Sequence, residues 1–254
     1  LEKSATVVKK LFMTSDLAEL NSVVNIAKTL RDKLTLPWND QGQRMLPTAL
    51  YNQFQEEMDD LALGFDCAVN EIAQDYDNIK ERAKLRLGSL YQEDDYPSDV
   101  RSCFDFGVEV YPMPKSDDLR LTTLSGEQND DVKERIDKAV NAKVGEATSE
   151  ILKRMFVCVN DLLNGTDGKS GLKNPEARFH KSTITKISDL LDVAHDLNLA
   201  EDPAITEMID KVREIIRPDS LDAEEIRKSP ALRKSVAEDA QLACETIMET
   251  MKGF

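Results

Sequence analysis

The chain has 254 residues, with 48 acidic against 33 basic side chains and a formal net charge of −15. That balance excludes a surface that grips phosphate over its whole extent, because nucleic-acid affinity comes largely from Lys and Arg displacing counterions; it also repels anionic membranes. With 41% hydrophobic residues and only 10 Gly and 9 Pro, the composition is that of a globular, helix-rich protein rather than a disordered one.

Residues 2–34 read as helix. Val7, Val8, Leu11 and Phe12, then Leu17, Leu20, Val23, Val24, Ala27, Leu30 and Leu34, recur at helical spacing, and Ser15-Asp16 is a place to break or re-cap it. Leu36-Pro37-Trp38-Asn39-Asp40-Gln41-Gly42 then ends the helix as a loop, since Pro disfavours helix at the residue before it and Asn, Asp and Gly supply turns. Trp38, the single tryptophan, is expected to anchor this loop. Pro47 and Thr48 open the strongest element, a helix running to about Leu90. Its stripe Leu50, Phe54, Met58, Leu61, Phe65, Ala68, Ile72, Tyr76, Ile79, Ala83, Leu87 and Leu90 keeps the α-helical period. At about 1.5 Å per residue it reaches roughly 65 Å.

The expected neighbour is a helix over 127–163, striped by Val132, Ile136, Val140, Val144, Ala147, Ile151, Met155, Cys158 and Leu162. Between the two, Phe104, Phe106, Val108 and Val110 alternate with Asp105, Gly107 and Glu109, the period of a half-buried strand. Pro112-Met113-Pro114 begins turn chemistry, and Leu119-Arg120-Leu121-Thr122-Thr123-Leu124 reads as a second strand. Asn164-Gly165-Thr166-Asp167-Gly168-Lys169-Ser170-Gly171 reads as a flexible linker. Helices follow at about 175–198, 202–216 and 220–252, with Asp202 capping before Pro203, a stop at Pro218 and a break at Ser229-Pro230. The expected fold is mainly α: a long antiparallel helical hairpin, coiled-coil-like, as a stalk, a small β-hairpin head, and C-terminal helices packed on the stalk. The regions are 1–46, with the N-terminal helices and Trp38 loop; 47–163, with the hairpin inserted at 91–126; and 172–254.

Chemistry is scarce. Gly168-Lys169-Ser170 is not a P-loop, because position 163 is Leu, Gly165 breaks the spacing, and the preceding segment is helical rather than a buried strand. The two histidines, His180 and His195, have no Cys, His or Glu at ligand spacing, and the Glu-x-x-His di-iron pattern is absent. The acidic groups Glu56, Glu57, Asp59, Asp60 and Glu93, Asp94, Asp95 do not match an EF-hand. The first reads as a solvated helix face; the second sits at the stalk tip, where it is a candidate interaction epitope. No GxSxG and no Cys–His motif supports nucleophilic catalysis. Lys80, Arg82, Lys84 and Arg86 form the densest basic run, split by even spacing into two flanks of the apolar seam. Cys67, Cys103, Cys158 and Cys244 form no CxxC pair; three fall in apolar helical patterns, which suits a reducing cytoplasm. No apolar run approaches the ~18 residues of a membrane span, no signal peptide is read, and a start at Leu1 places the expected natural N-terminus upstream.

Four segments resemble, in order, blocks of a family of uncharacterised proteins encoded by tailed bacteriophages. They are Leu36-Pro37-Trp38-Asn39-Asp40-Gln41-Gly42 through Leu46-Pro47; Arg86-Leu87-Gly88-Ser89-Leu90-Tyr91-Gln92-Glu93-Asp94-Asp95-Tyr96-Pro97; Phe104-Asp105-Phe106-Gly107-Val108-Glu109-Val110-Tyr111-Pro112-Met113-Pro114; and Leu197-Asn198-Leu199-Ala200-Glu201-Asp202-Pro203. The resemblance implies a helical accessory protein of phage infection in the host cytoplasm, with an AAA+ ATPase among its implied partners, and carries over no catalytic residue. The expectation for function is a non-enzymatic interaction or assembly protein, without cofactor or metal, that docks a host or phage protein through its helical stalk and β-hairpin tip. Phe104, Phe106, Tyr111, Glu93, Asp94, Asp95 and Tyr96 are the candidate partner-binding residues. The alternatives are an accessory role in phage DNA replication or recombination, and acidic mimicry of DNA against a host enzyme. Nucleic acid is not the expected partner; self-association is a further expectation.

Overall fold

The structure, a computed structural model, describes residues 8–39, 41–116, 126–176 and 179–252. It is mainly helical: eight α-helices and one two-stranded antiparallel sheet among the described residues. The chain divides into two compact units, Leu1–Asp32 with Tyr51–Tyr111, and Lys33–Leu50 with Pro112–Phe254.

In the first unit a 3-10 turn at Thr14–Leu17 leads into helix α1, Ala18–Leu34. The Asp16 carboxylate accepts from Met13 N at 2.8 Å and caps the chain here, so residues 8–13 of the expected helix are not helical; its residues 2–7 lie outside the described residues. The long helix expected from Pro47 is two helices, α2 (Tyr51–Gln74) and α3 (Tyr76–Leu87). Asp75 separates them at φ −90°, ψ 5°. Its side chain accepts from Asn78 Nδ2 at 2.7 Å and Arg82 Nη2 at 2.8 Å, a local bonding choice that competes with helical geometry. The apolar stripe continues across the break, and Leu20, Phe65, Ala68, Val69, Ile72, Tyr76, Ile79, Ala83, Tyr96 and Val100 form one core.

The second unit opens with the sheet. Strand β1 (Leu36–Pro37) pairs with β2 (Arg44–Met45) in the register Leu36↔Met45, Pro37↔Arg44. Asn39 builds the turn: its Oδ1 accepts from Gln41 N at 3.0 Å and Gln43 N at 3.2 Å, and Trp38 N donates to Gln43 O at 2.9 Å. The β-hairpin therefore lies where a loop was expected. The head expected at 91–126 needs correcting: residues 104–110 form no strand, and 119–124 lie outside the described residues.

Helix α4 (Gly126–Asn164) buries Ala147, Ile151, Leu152, Met155, Val159 and Leu162. Within its unit it packs on α5 (Lys181–Leu197) and α8 (Pro230–Met251), and α8 also packs on α6 (Pro203–Ile216). These contacts account for the buried part of the stripe that suggested a stalk. Local chemistry sets the ends: Asp202 accepts from Ala204 N ahead of α6, Asp222 caps α7 (Ala223–Lys228), and Ser229 accepts from Leu232 N ahead of α8.

The segment expected as a flexible linker is a built loop. Asp167 Oδ1 accepts from Lys169 N, Ser170 N and Ser170 Oγ, each at 2.8 Å. Leu172 N and Lys173 N donate back to Leu162 O and Leu163 O at 3.0 Å. Gly165 has a φ of +79°, and a Cβ on Gly171 would overlap Asn164 C, Gly165 N and Leu163 O, so both positions require glycine. Arg233 on α8 closes the loop from below, donating to the carbonyls of Leu172, Gly171 and Asn174.

Candidate functional site

The acidic tip does not stand free. After α3, the chain folds back so that Glu93 accepts from the Tyr91 hydroxyl at 2.7 Å and pairs with Lys80 at 3.5 Å and Lys84 at 3.9 Å. The Tyr91 hydrogen bond first, then the two lysines, hold the Glu93 carboxyl below its ordinary pKa. Asp95 pairs with Lys9, whose ammonium also reaches Leu90 O at 3.4 Å. Tyr96 is buried, stacked on Tyr91 with centroids 5.2 Å apart, and its hydroxyl donates to Leu11 O at 3.4 Å. Lys80 and Lys84 lie over the Tyr76 and Tyr91 rings at 5.3 and 5.5 Å. Of this group only Asp94 is exposed without an ion pair among the described residues.

The same contacts dispose of the basic run. Lys80 pairs with Asp77 at 3.2 Å, Lys84 with Glu81 at 2.7 Å, Arg82 with Asp16 and Asp75 at 3.0 and 2.8 Å, and Arg86 donates to Leu11 O at 3.1 Å. Each cation already has an acceptor inside the first unit, so the run offers no stripe of unneutralised charge.

Phe104 and Phe106 are half-buried. Phe106 meets Phe65 on α2 with ring centroids 5.3 Å apart, and Arg101 Nε donates to Asn70 Oδ1 at 3.0 Å. The alternation that suggested a strand thus reflects two aromatic anchors on a helix. Beyond them the side chains emerge: Val108, Val110 and Tyr111 are 43%, 61% and 69% exposed. The Tyr111 hydroxyl donates to Glu109, whose carboxylate raises its pKa. Residues 105–111 make no backbone hydrogen bond among the described residues. The structure therefore separates the candidates: Tyr96 is core, Phe104 and Phe106 are anchors, Glu93 and Asp95 are internal partners, and Tyr111 is surface.

One feature escaped the sequence reading. A cleft of about 280 Å³ opens where α1 begins beside the Asp75 break, with Arg82 and four carboxylates at its lip. Asp75 is held below its ordinary pKa by the Asn78 hydrogen bond and then by Arg82.

Elsewhere, the Asp167 carboxylate occupies the backbone donors of Lys169 and Ser170, and these bonds depress its pKa to about 2. The donors a phosphate would need are already taken. His195 lies 3.1 Å from Asp210, and His180 precedes α5 with no side-chain cap bond. Among the described residues no group of three His, Cys, Asp or Glu is placed to hold a metal ion. All four cysteines are free; Cys67 is exposed on α2, and burial pushes Cys244 up to about 11. No helix of the described residues is long and apolar enough to cross a membrane. Comparison with protein-family models, with curated proteins and with solved structures finds no match.

Proposed function

We propose that this chain is a non-enzymatic interaction protein that docks a protein partner through the edge carrying Val108, Val110 and Tyr111. The observation that carries the reading is that three large apolar side chains, on backbone without a hydrogen-bonded neighbour among the described residues, stand exposed on a segment pinned by Phe104 and Phe106. Unpaired backbone of this kind suits partner binding through main-chain pairing plus side-chain pockets. Helix α2 of the same unit carries the contact that pins the segment, through Phe65 against Phe106. The sequence resemblance supports a phage source, action in the host cytoplasm, and a host or phage partner such as an AAA+ ATPase.

The test is affinity capture from cell lysate, with and without nuclease, using the wild type and the double variant Val110→Asp, Tyr111→Ala. Loss of a nuclease-resistant protein partner, with an unchanged melting profile, is the expected result. Equal recovery by both moves the site elsewhere, and recovery that depends on nucleic acid favours the DNA-metabolism alternative.

A further inference from the structure

Residues 8–12 run along the first unit as a strap outside any helix or strand. None of them makes a backbone–backbone hydrogen bond among the described residues. Side chains of α3 and the turns after it hold the strap instead. Lys9 pairs with Asp95 and reaches Leu90 O at 3.4 Å and Gln92 Oε1 at 3.5 Å. Arg86 donates to the carbonyls of Lys10 and Leu11, the latter at 3.1 Å, and the Tyr96 hydroxyl donates to Leu11 O at 3.4 Å. Leu11 and Phe12 pack on the core, with Phe12 stacked on Tyr76 at 6.3 Å between ring centroids. Tyr76 is 8% exposed, and its hydroxyl is buried without a hydrogen-bond partner among the described residues.

We propose that this strap fills a peptide-recognition groove in cis, and that a partner-protein segment of the pattern lysine, any residue, aliphatic, aromatic takes its place. The strap shows how such a segment is read. Asp95 takes the ammonium and the Tyr76 face takes the aromatic ring, while Arg86 and Tyr96 grip main-chain carbonyls whatever the side chain. Val8, Lys10 and Met13 are exposed, which leaves Lys9, Leu11 and Phe12 as the recognised positions. Two features make the strap exchangeable. It has no ladder of backbone bonds to break, and closure on Phe12 leaves the Tyr76 hydroxyl dry and unpaired, a cost that water or a partner's acceptor removes. The groove shares no residue with the Val108–Tyr111 edge, so its test stands apart from that reading.

The experiment uses the full chain and a fluorescein-labelled peptide of residues 8–14, followed by fluorescence anisotropy. Leu11→Ser with Phe12→Ser in the protein frees the groove and is expected to bind the peptide about tenfold or more tighter than the wild type, whose own strap competes. Adding Arg86→Gln and Asp95→Asn to that variant is expected to abolish the gain, as is placing Lys9→Glu and Phe12→Ser in the peptide. Lys9→Ala in the protein loosens the strap while keeping Leu11 and Phe12 on the core, and is expected to raise peptide affinity about two- to fivefold without loss of fold. Unchanged affinity in Lys9→Ala overturns the proposal even where the double variant fails to fold. Equal binding of the altered peptide also overturns it, by showing attraction to an acidic surface in place of recognition.

Discussion

Arg233→Met tests a buried guanidinium that donates to three main-chain carbonyls in the second unit. Arg233 is 7% exposed, and its guanidinium donates at 3.0 Å to Leu172 O, 3.0 Å to Gly171 O and 2.6 Å to Asn174 O. Gly171 and Leu172 are buried, so their carbonyls lose a charged donor without ready access to water, at about 1–3 kcal/mol each. Asn174 is half-exposed and rehydrates. Against this, burial already pushes the Arg233 pKa down, so removing the charge recovers part of a desolvation cost. The net expectation is a loss of about 2–3 kcal/mol, or a melting temperature lower by about 4–12 °C for a chain of this size. Arg233→Lys, which keeps the charge but not the planar fork, falls between. Circular dichroism melts give the first number. Hydrogen exchange at Leu172 and Lys173, whose amides tie the loop to Leu162 and Leu163, gives the second. A melting temperature within about 1 °C of wild type, with unchanged exchange at those amides, refutes the idea that Arg233 holds the loop.

Gly171→Ala places a methyl group against Asn164, Gly165 and Leu163, and is expected to lower stability by about 1–3 kcal/mol in urea titrations; a shift below experimental error contradicts the close approach. Asp167 has a folded pKa depressed to about 2, below the roughly 3.9 of an unfolded chain. Its contribution is therefore complete above pH ~4 and is lost as pH falls towards 2. Asp167→Asn should flatten the dependence of the urea midpoint on pH within that window, and an identical acid slope counts against the assignment.

Helix ends were legible in the sequence because capping is local chemistry. Asp202-Pro203 and Ser229-Pro230 announce their helices within a few residues, and Asp16 is visible as a re-capping residue. The Asp75 break was hidden by the apolar stripe, since Ile72, Tyr76 and Ile79 stay in phase across it; only the triplet of Asp75, Asn78 and Arg82 betrays it. The strand reading at 104–110 failed because period two also arises when Phe106 anchors on Phe65 and its neighbours face water. The hairpin at 36–45 was missed because its strands are two residues long and the Asn39 side chain sets the turn. The lysine partners of the acidic stretch at 93–95 were not legible, because Lys9 and Asp95 are joined only by folding. The cleft has no sequence signature, for Glu19 and Glu71 come from separate helices.

The order in which the chain visits its two units governs how it can be taken apart. Residues 33–50 interrupt the first unit yet belong to the second, where Arg44 and Arg154 both donate to Thr35 O at 3.0 Å. A fragment ending at Tyr111 would keep Leu34, Leu36 and Met45 but discard Arg154 and the rest of the second unit. The fragment starting at Pro112 would lose the β-hairpin. Neither half is a clean excision. The unit that holds the C-terminal helices is finished only by a strip synthesised long before them, so a ribosome-bound nascent chain must carry that strip without its Arg154 contact until α4 is complete.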